Sequence, residues 1–102
     1  MLELRPVCEH CNKPLAPASR DARICSFECT FCADCVETVL DNVCPNCGGG
    51  FAERPIRPAQ DWRGHNCLSH YPAATTPVHR PVDPADHARF VAQLKNIAPD
   101  QR

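Results

Sequence analysis

Eight cysteines between residues 8 and 47 constrain this chain more than any other feature of its sequence. They follow the pattern C-x2-C-x13-C-x3-C-x2-C-x2-C-x8-C-x2-C, and a ninth, Cys67, stands apart. Two thiolates separated by two residues can bind the same metal ion, and four such ligands complete a tetrahedral zinc site. The spacing therefore predicts two zinc ions per chain. The predicted ligands are Cys8, Cys11, Cys25, Cys29, Cys32, Cys35, Cys44 and Cys47.

The scarcity of ordinary apolar residues explains why metal is needed. Of 102 residues, 43% are hydrophobic, but that share includes the nine cysteines, and only 6% are aromatic. A core built from so few residues does not fold securely alone. Each structural zinc contributes about 10 kcal/mol of apparent binding energy, which becomes folding energy. The residues expected in the core are Leu4, Val7, Leu15, Ile24, Phe27, Phe31, Val36, Val39, Leu40 and Val43.

The redox compartment supports metal over disulfides. No apolar run approaches the roughly 20 residues of a membrane helix, and residues 1–6 lack the features of a signal peptide. We therefore expect a cytoplasmic chain. Thiols in the cytoplasm stay reduced and available for metal.

The chain divides into three parts. Residues 1–52 form the predicted zinc-binding domain, 53–82 a proline-rich and largely irregular linker, and 83–98 a short amphipathic helix. Seven of the eleven prolines lie after residue 50. Proline removes a backbone donor and fixes φ, so regular structure is not expected in the linker.

Local signals predict a few short elements. Asp83 can cap the C-terminal helix at its N-terminus, and Pro99 ends it. We expect this helix to pack on the zinc domain, and the alternative is that it docks on a partner. In the first half, residues 23–28 alternate as a strand would, and residues 35–41 can form a two-turn helix.

The first half resembles the RING-type cross-brace zinc finger over residues 8–47. An aromatic residue precedes the C-x-x-C pair Cys32/Cys35 and an amphipathic helix follows, as in RING domains. Cys44-Pro45-Asn46-Cys47 is similar to the closing C-P-x-C pair of that family. The whole chain also resembles a small bacterial family of unknown function in the RING-like group. The resemblance implies a small α+β treble-clef fold with two zinc sites.

The cysteines can share the two ions in two ways. The resemblance implies an interleaved pairing, with Cys8, Cys11, Cys32 and Cys35 on one ion and Cys25, Cys29, Cys44 and Cys47 on the other. The alternative is sequential, with Cys8, Cys11, Cys25 and Cys29 on the first ion. Spacing alone does not separate the two.

The sequence departs from RING ubiquitin ligases where they contact their partners. Those ligases usually carry a hydrophobic residue between the first two cysteines, where this chain has Glu9-His10. A basic residue often follows their last cysteine, where this chain has Gly48. Fold does not carry function without the site, so ligase activity does not follow from the resemblance.

Charge restricts the class of partner. Residues 1–50 hold four Lys or Arg and seven Asp or Glu, a net charge of −3. Eight thiolates and two Zn²⁺ would add about −4. So acidic a domain is not expected to bind nucleic acid. A basic protein surface fits it better, and the alternative is contact with the mildly basic second half of the same chain.

Around the ninth cysteine, residues 65–70 are rich in possible ligands. Cys67 is most simply a free thiol in the linker, while a site with His65 and His70 is the alternative. Only three ligands are in view there, so such a site would be open or shared between chains.

These features lead to three hypotheses of function. The first is a zinc-binding adaptor for protein interactions, without catalysis of its own. The second is ligase-like recruitment of a conjugating enzyme, and the third is a thiol redox or zinc-responsive sensor. Iron is a competing metal for the Cys44/Cys47 pair, because rubredoxin knuckles look similar.

Overall fold

A three-stranded antiparallel sheet organises the N-terminal half. The computed structural model describes residues 1–102. The strands are β1 (Ala22–Ile24), β2 (Thr30–Cys32) and β3 (Ala52–Glu53), in the spatial order β2-β1-β3. Arg23 of the central strand lies opposite Phe31 on one side and Glu53 on the other.

Strand β1 is shorter than its alternation predicts. It ends at Ile24, because a tight turn closes the β1–β2 hairpin: the Glu28 N–H donates to the Cys25 carbonyl at 3.0 Å, with Glu28 at φ 66°. Phe27 lies at the tip of this turn and is 71% exposed. The prediction that Phe27 belongs to the core is therefore wrong.

A short helical segment follows β2 directly. Helix α1 (Ala33–Cys35) continues into a π-helical turn (Val36–Leu40), so the helix begins two residues before the predicted start. The Cys32 sulfur accepts the Cys35 N–H at 3.4 Å and caps the first turn. Val36 and Leu40 turn inward and are buried.

Sulfur makes up much of the core. Eleven buried residues, some of them from the sheet and α1, form one cluster, and six of them are cysteines. They are Cys8, Leu15, Ala22, Cys25, Cys29, Phe31, Cys32, Cys35, Val36, Leu40 and Cys44. The thiols therefore lie where another domain of this size would place aliphatic side chains.

Residues 54–83 contain no helix or strand, yet hydrogen bonds hold them against the N-terminal half. Arg57 donates to the carbonyl of Leu2 at 2.7 Å, and the Ala74 N–H donates to the carbonyl of Leu4 at 3.0 Å. The proline-rich segment therefore runs along the surface of the domain.

Helix α2 (Pro84–Leu94) packs against the helical segment after β2. Asp83 caps it by accepting the N–H groups of Ala85 and Asp86. The buried His87 ring hydrogen-bonds the Leu40 carbonyl through Nε2 at 2.9 Å.

Helix α2 is shorter than the sequence predicts, since it ends at Leu94 rather than Ala98. Ala98 is extended because it precedes Pro99, and a 3-10 turn (Pro99–Gln101) follows. None of the helices has the length and apolar character needed to cross a membrane.

Candidate metal centres

The first thiol cluster joins the N-terminal loop to the start of α1. The sulfurs of Cys8, Cys11, Cys32 and Cys35 all lie within 4.8 Å of one another. Cys11 and Cys32 are 3.8 Å apart. Cys11 is exposed and the other three are buried, so four sulfurs converge on one point near the surface.

The second thiol cluster joins the β1–β2 hairpin to the loop after Leu40. Cys25, Cys29 and Cys44 are buried, and their sulfurs lie within 4.8 Å of one another. Cys47, the fourth predicted ligand, does not fall within that limit of all three and is exposed. Its backbone nevertheless belongs to the same loop as Cys44.

The two clusters use the cysteines in interleaved order. Cys29 and Cys32 are separated by only two residues, yet they lie in different clusters. The structure does not bring Cys25 and Cys29 together with Cys8 and Cys11, as the sequential alternative requires.

The loops Cys8–Cys11 and Cys44–Cys47 have the same hydrogen bond and the same left-handed residue after the second cysteine. The Asn12 N–H donates to the Cys8 carbonyl at 3.0 Å, and the Gly48 N–H donates to the Cys44 carbonyl at 2.8 Å. Asn12 and Gly48 both have left-handed backbones, with φ of 65° and 80°. Gly adopts this conformation at no steric cost, and Asn tolerates it.

Backbone N–H groups point at several of the sulfurs. Phe27 donates to the sulfur of Cys25 at 3.3 Å, and Gly49 donates to that of Cys47 at 3.4 Å. Hydrogen bonds to an ionised group favour its charged form. The thiolate is the form that binds metal, so these loops are suited to it.

Burial works against ionisation of most of the clustered thiols. Burial raises the pKa of Cys29, Cys32, Cys35 and Cys44, and contacts with neighbouring thiols raise it further in Cys35. Burial also opposes ionisation of Cys11, but hydrogen bonds from the Lys13 backbone and the adjacent thiols lower its pKa. Four adjacent thiolates require a cation, and an all-sulfur donor set fits a tetrahedral metal site.

Glu9, within the first C-x-x-C loop, is a structural residue that the sequence did not reveal. Its side chain is 1% exposed and accepts bonds from Arg5 Nη1 at 2.9 Å and from the Thr30 N–H at 2.6 Å. Arg80 Nη2 lies 3.3 Å from the other carboxylate oxygen. Glu9 thereby ties the first loop to β2 and to the C-terminal half.

A third group of possible ligands lies in the proline-rich segment. Asp61, His65 and His70 each offer one ligand atom within 4.8 Å of the other two, and all three residues are exposed. The sequence singled out His65 and His70 but missed Asp61, four residues before His65. Cys67 is not a member of this group. Its buried sulfur lies 3.4 Å from His70 Nδ1, and hydrogen bonds from Ser69 and His70 lower its pKa.

Comparison with known proteins places the N-terminal half in a family. Residues 1–57 match the family described as "Protein of unknown function (DUF1272)", and this range contains all eight clustered cysteines. An uncharacterized protein of Rhizobium meliloti (strain 1021) is 54% identical over 81 residues, which is 79% of this chain and 89% of that protein. No solved structure matches the chain. The chain belongs to the DUF1272 family of proteins of unknown function.

Proposed function

We propose that this protein is a zinc-binding, RING-like module that serves as a non-catalytic adaptor for protein interactions in the cytoplasm. The observation that carries the proposal is the interleaving of two separate thiol clusters. Interleaving is what the cross-brace resemblance implies. In the proposal, Cys47 completes the second site once an ion draws its exposed sulfur toward Cys25, Cys29 and Cys44.

Zinc is the metal that this donor set favours. Four thiolates in a closed tetrahedron are typical of structural zinc, which needs no redox chemistry and no open position. Iron can also occupy four sulfurs. Elemental analysis and the absence of a visible absorption band in the purified protein would decide for zinc.

The closed coordination supports an adaptor over a metalloenzyme. A catalytic zinc keeps one position for water or substrate, whereas four thiolates occupy all of them. The metal would then stabilise the surface that a partner recognises, and the recognition itself would come from side chains.

An acidic depression beside the sheet is where we place the partner. It has a volume of about 480 Å³ and is open to solvent. Glu37, Asp41 and Glu53 line it, with Arg23 as the only basic residue among its lining. Opposite charges steer association and fix orientation, so a basic protein segment suits this surface.

The ligase alternative meets an obstacle in the structure. The Val82 N–H donates to His10 Nδ1 at 2.9 Å, and His79 Nε2 hydrogen-bonds the His10 carbonyl at 3.1 Å. A Cβ at Gly48 would lie 3.1 Å from Leu94 Cδ1. Both positions that contact partners in RING ligases are thus covered by the C-terminal half.

Native mass spectrometry with elemental analysis tests the metal assignment. After removal of weakly bound metal we expect two zinc ions per chain, and Cys8→Ser and Cys25→Ser should each lower that number. Cys67→Ser is the matched control and should retain both ions. A reduced protein that still melts cooperatively after full chelation, or one purified with these sulfurs in disulfides, would refute the assignment.

Binding assays test the function. Charge reversal at Glu37 and Asp41 should abolish capture of a basic partner, and Asp100→Lys, also at an exposed position, should leave capture intact. Discharge of a charged conjugating enzyme would support the ligase alternative instead. Rapid zinc loss in mild peroxide, reversed by reductant, would support the sensor.

A further inference from the structure

We propose that Asp61, His65 and His70 form a third metal site, separate from the thiol clusters, which takes an exchangeable divalent cation such as Zn²⁺. One carboxylate oxygen and one nitrogen from each ring lie within 4.8 Å of one another. All three residues are exposed, so an ion can enter from solvent without opening the fold. The site lies outside the matched family region and does not rest on the proposed function.

A tight turn brings Asp61 and His65 together. Gly64 and His65 are both left-handed, with φ of 77° and 71°. The His65 N–H donates to Asp61 Oδ1 at 2.8 Å, and Oδ2 of the same carboxylate lies 3.5 Å from His65 Nδ1. A non-glycine residue in the left-handed region is uncommon, and here it places the ring beside the carboxylate.

A second turn returns His70 to the same place. The Cys67 N–H donates to the His65 carbonyl at 2.9 Å, and the Tyr71 N–H donates to the Cys67 carbonyl at 2.9 Å. The rings of His65 and His70 consequently lie with their centroids 4.1 Å apart.

Cys67 acts as a positioning residue for His70. Cys67 is 1% exposed, and its sulfur lies 3.4 Å from Nδ1 of that ring. Ser69 Oγ lies 3.3 Å from the same nitrogen. Rings that bind metal through one nitrogen usually hydrogen-bond through the other, which orients them. Because Nδ1 of His70 hydrogen-bonds Cys67 and Ser69, the proposal assigns Nε2 to the cation.

The ligand types select the cation. Two imidazoles with one carboxylate suit zinc and its neighbours among the first-row metals, whereas Mg²⁺ and Ca²⁺ prefer oxygen ligands. Three protein ligands leave a coordination position open to water or to a group from a partner. Such a site exchanges its ion more readily than a closed set of four thiolates does.

Zinc titration of the full chain, followed by NMR, tests the site directly. Once both thiol clusters are filled, a further equivalent of Zn²⁺ should shift the ring signals of His65 and His70 and leave those of His79 in place. Calorimetry should show the same equivalent. His65→Gln and His70→Gln should each lower the affinity for this additional zinc ion at least about tenfold, and His79→Gln should not change it.

The role of Cys67 has its own test. Cys67→Ala should lower the zinc affinity of the third site about tenfold. Cys67→Ser keeps a hydrogen-bonding group and should retain most of that affinity. Absence of a further equivalent, or ring signals of His65 and His70 that do not respond to zinc in the wild-type chain, would overturn the proposal. The count of tightly bound zinc in each variant shows separately whether the thiol centres remain.

Discussion

Replacing Glu9 by Gln tests whether one buried carboxylate joins the two halves of the molecule. The side chain is 1% exposed, and Arg5, its nearest cation, is 16% exposed in its side chain. The change keeps the shape and one acceptor oxygen but removes the charge. It also brings an amide N–H₂ group against hydrogen-bond donors, which are the Thr30 N–H and Arg5 at Oε2, or Arg80 at Oε1.

The structure sets the size of the expected effect. Breaking a buried ion pair costs about 3–5 kcal/mol, because the remaining charge is left uncompensated. Water reaches part of Arg5, and Arg80 is 63% exposed in its side chain, so the loss should be smaller. We expect about 2–3 kcal/mol, which for a domain of this size lowers Tm by roughly 10–20 °C.

Thermal denaturation at one buffered, saturating concentration of free zinc measures this effect without a change in metal occupancy. Glu37→Gln is the matched control, because this carboxylate is exposed, and we expect a change within about 0.5 kcal/mol. Hydrogen exchange should also accelerate at the Arg80 amide, which donates to the Glu9 carbonyl at 2.8 Å. A Tm for Glu9→Gln equal to that of the control would refute this reasoning.

Three further substitutions test other contacts. Arg54→Met should destabilise the protein by about 3 kcal/mol in thermal melts, because the buried guanidinium donates to the carbonyls of Arg5 and Leu15, which would be left without that donor. It also donates to the Ala16 carbonyl, which keeps the Ser19 N–H. Unchanged melting would contradict this. Gly48→Ala should lower the free energy of unfolding by about 1–2 kcal/mol, because φ is 80° there. The added Cβ would lie 3.1 Å from Leu94 Cδ1, so amide exchange should also accelerate in α2. Unchanged exchange in this helix would count against its packing on the Gly48 loop. Lys13→Met should raise the pKa of Asp21, which the Lys13 hydrogen bond lowers, toward the ordinary value of an aspartate in an NMR titration. The folded pKa of Asp21 lies below the unfolded one. The carboxylate therefore stabilises the folded protein fully above the unfolded pKa, and this stabilisation is lost as pH falls through the folded pKa. An unchanged pKa in the variant would contradict the pairing.

Short-range chemistry was readable from the residues alone. The C-x-x-C spacing involves only four successive residues, and it identified Cys8 and Cys11 as members of one cluster. Asp83 similarly marked the start of α2, because capping depends on the first turn only.

Other features needed the three-dimensional structure because they join residues far apart in the chain. Which thiols share a cluster depends on the β1–β2 hairpin, which carries Cys25 and Cys29 to Cys44 and leaves Cys32 beside Cys8. The exposure of Phe27 has the same origin, since the turn overrides its alternating pattern.

Nothing in the sequence indicated which charged side chains would be buried. Glu9 and Arg54 are among the most buried side chains, although their residue types are mostly exposed in proteins. Their partners are backbone groups and arginines up to 71 residues distant. Composition and spacing select the thiol chemistry, whereas only packing between distant segments determines which polar groups can be buried and which surfaces the C-terminal half covers.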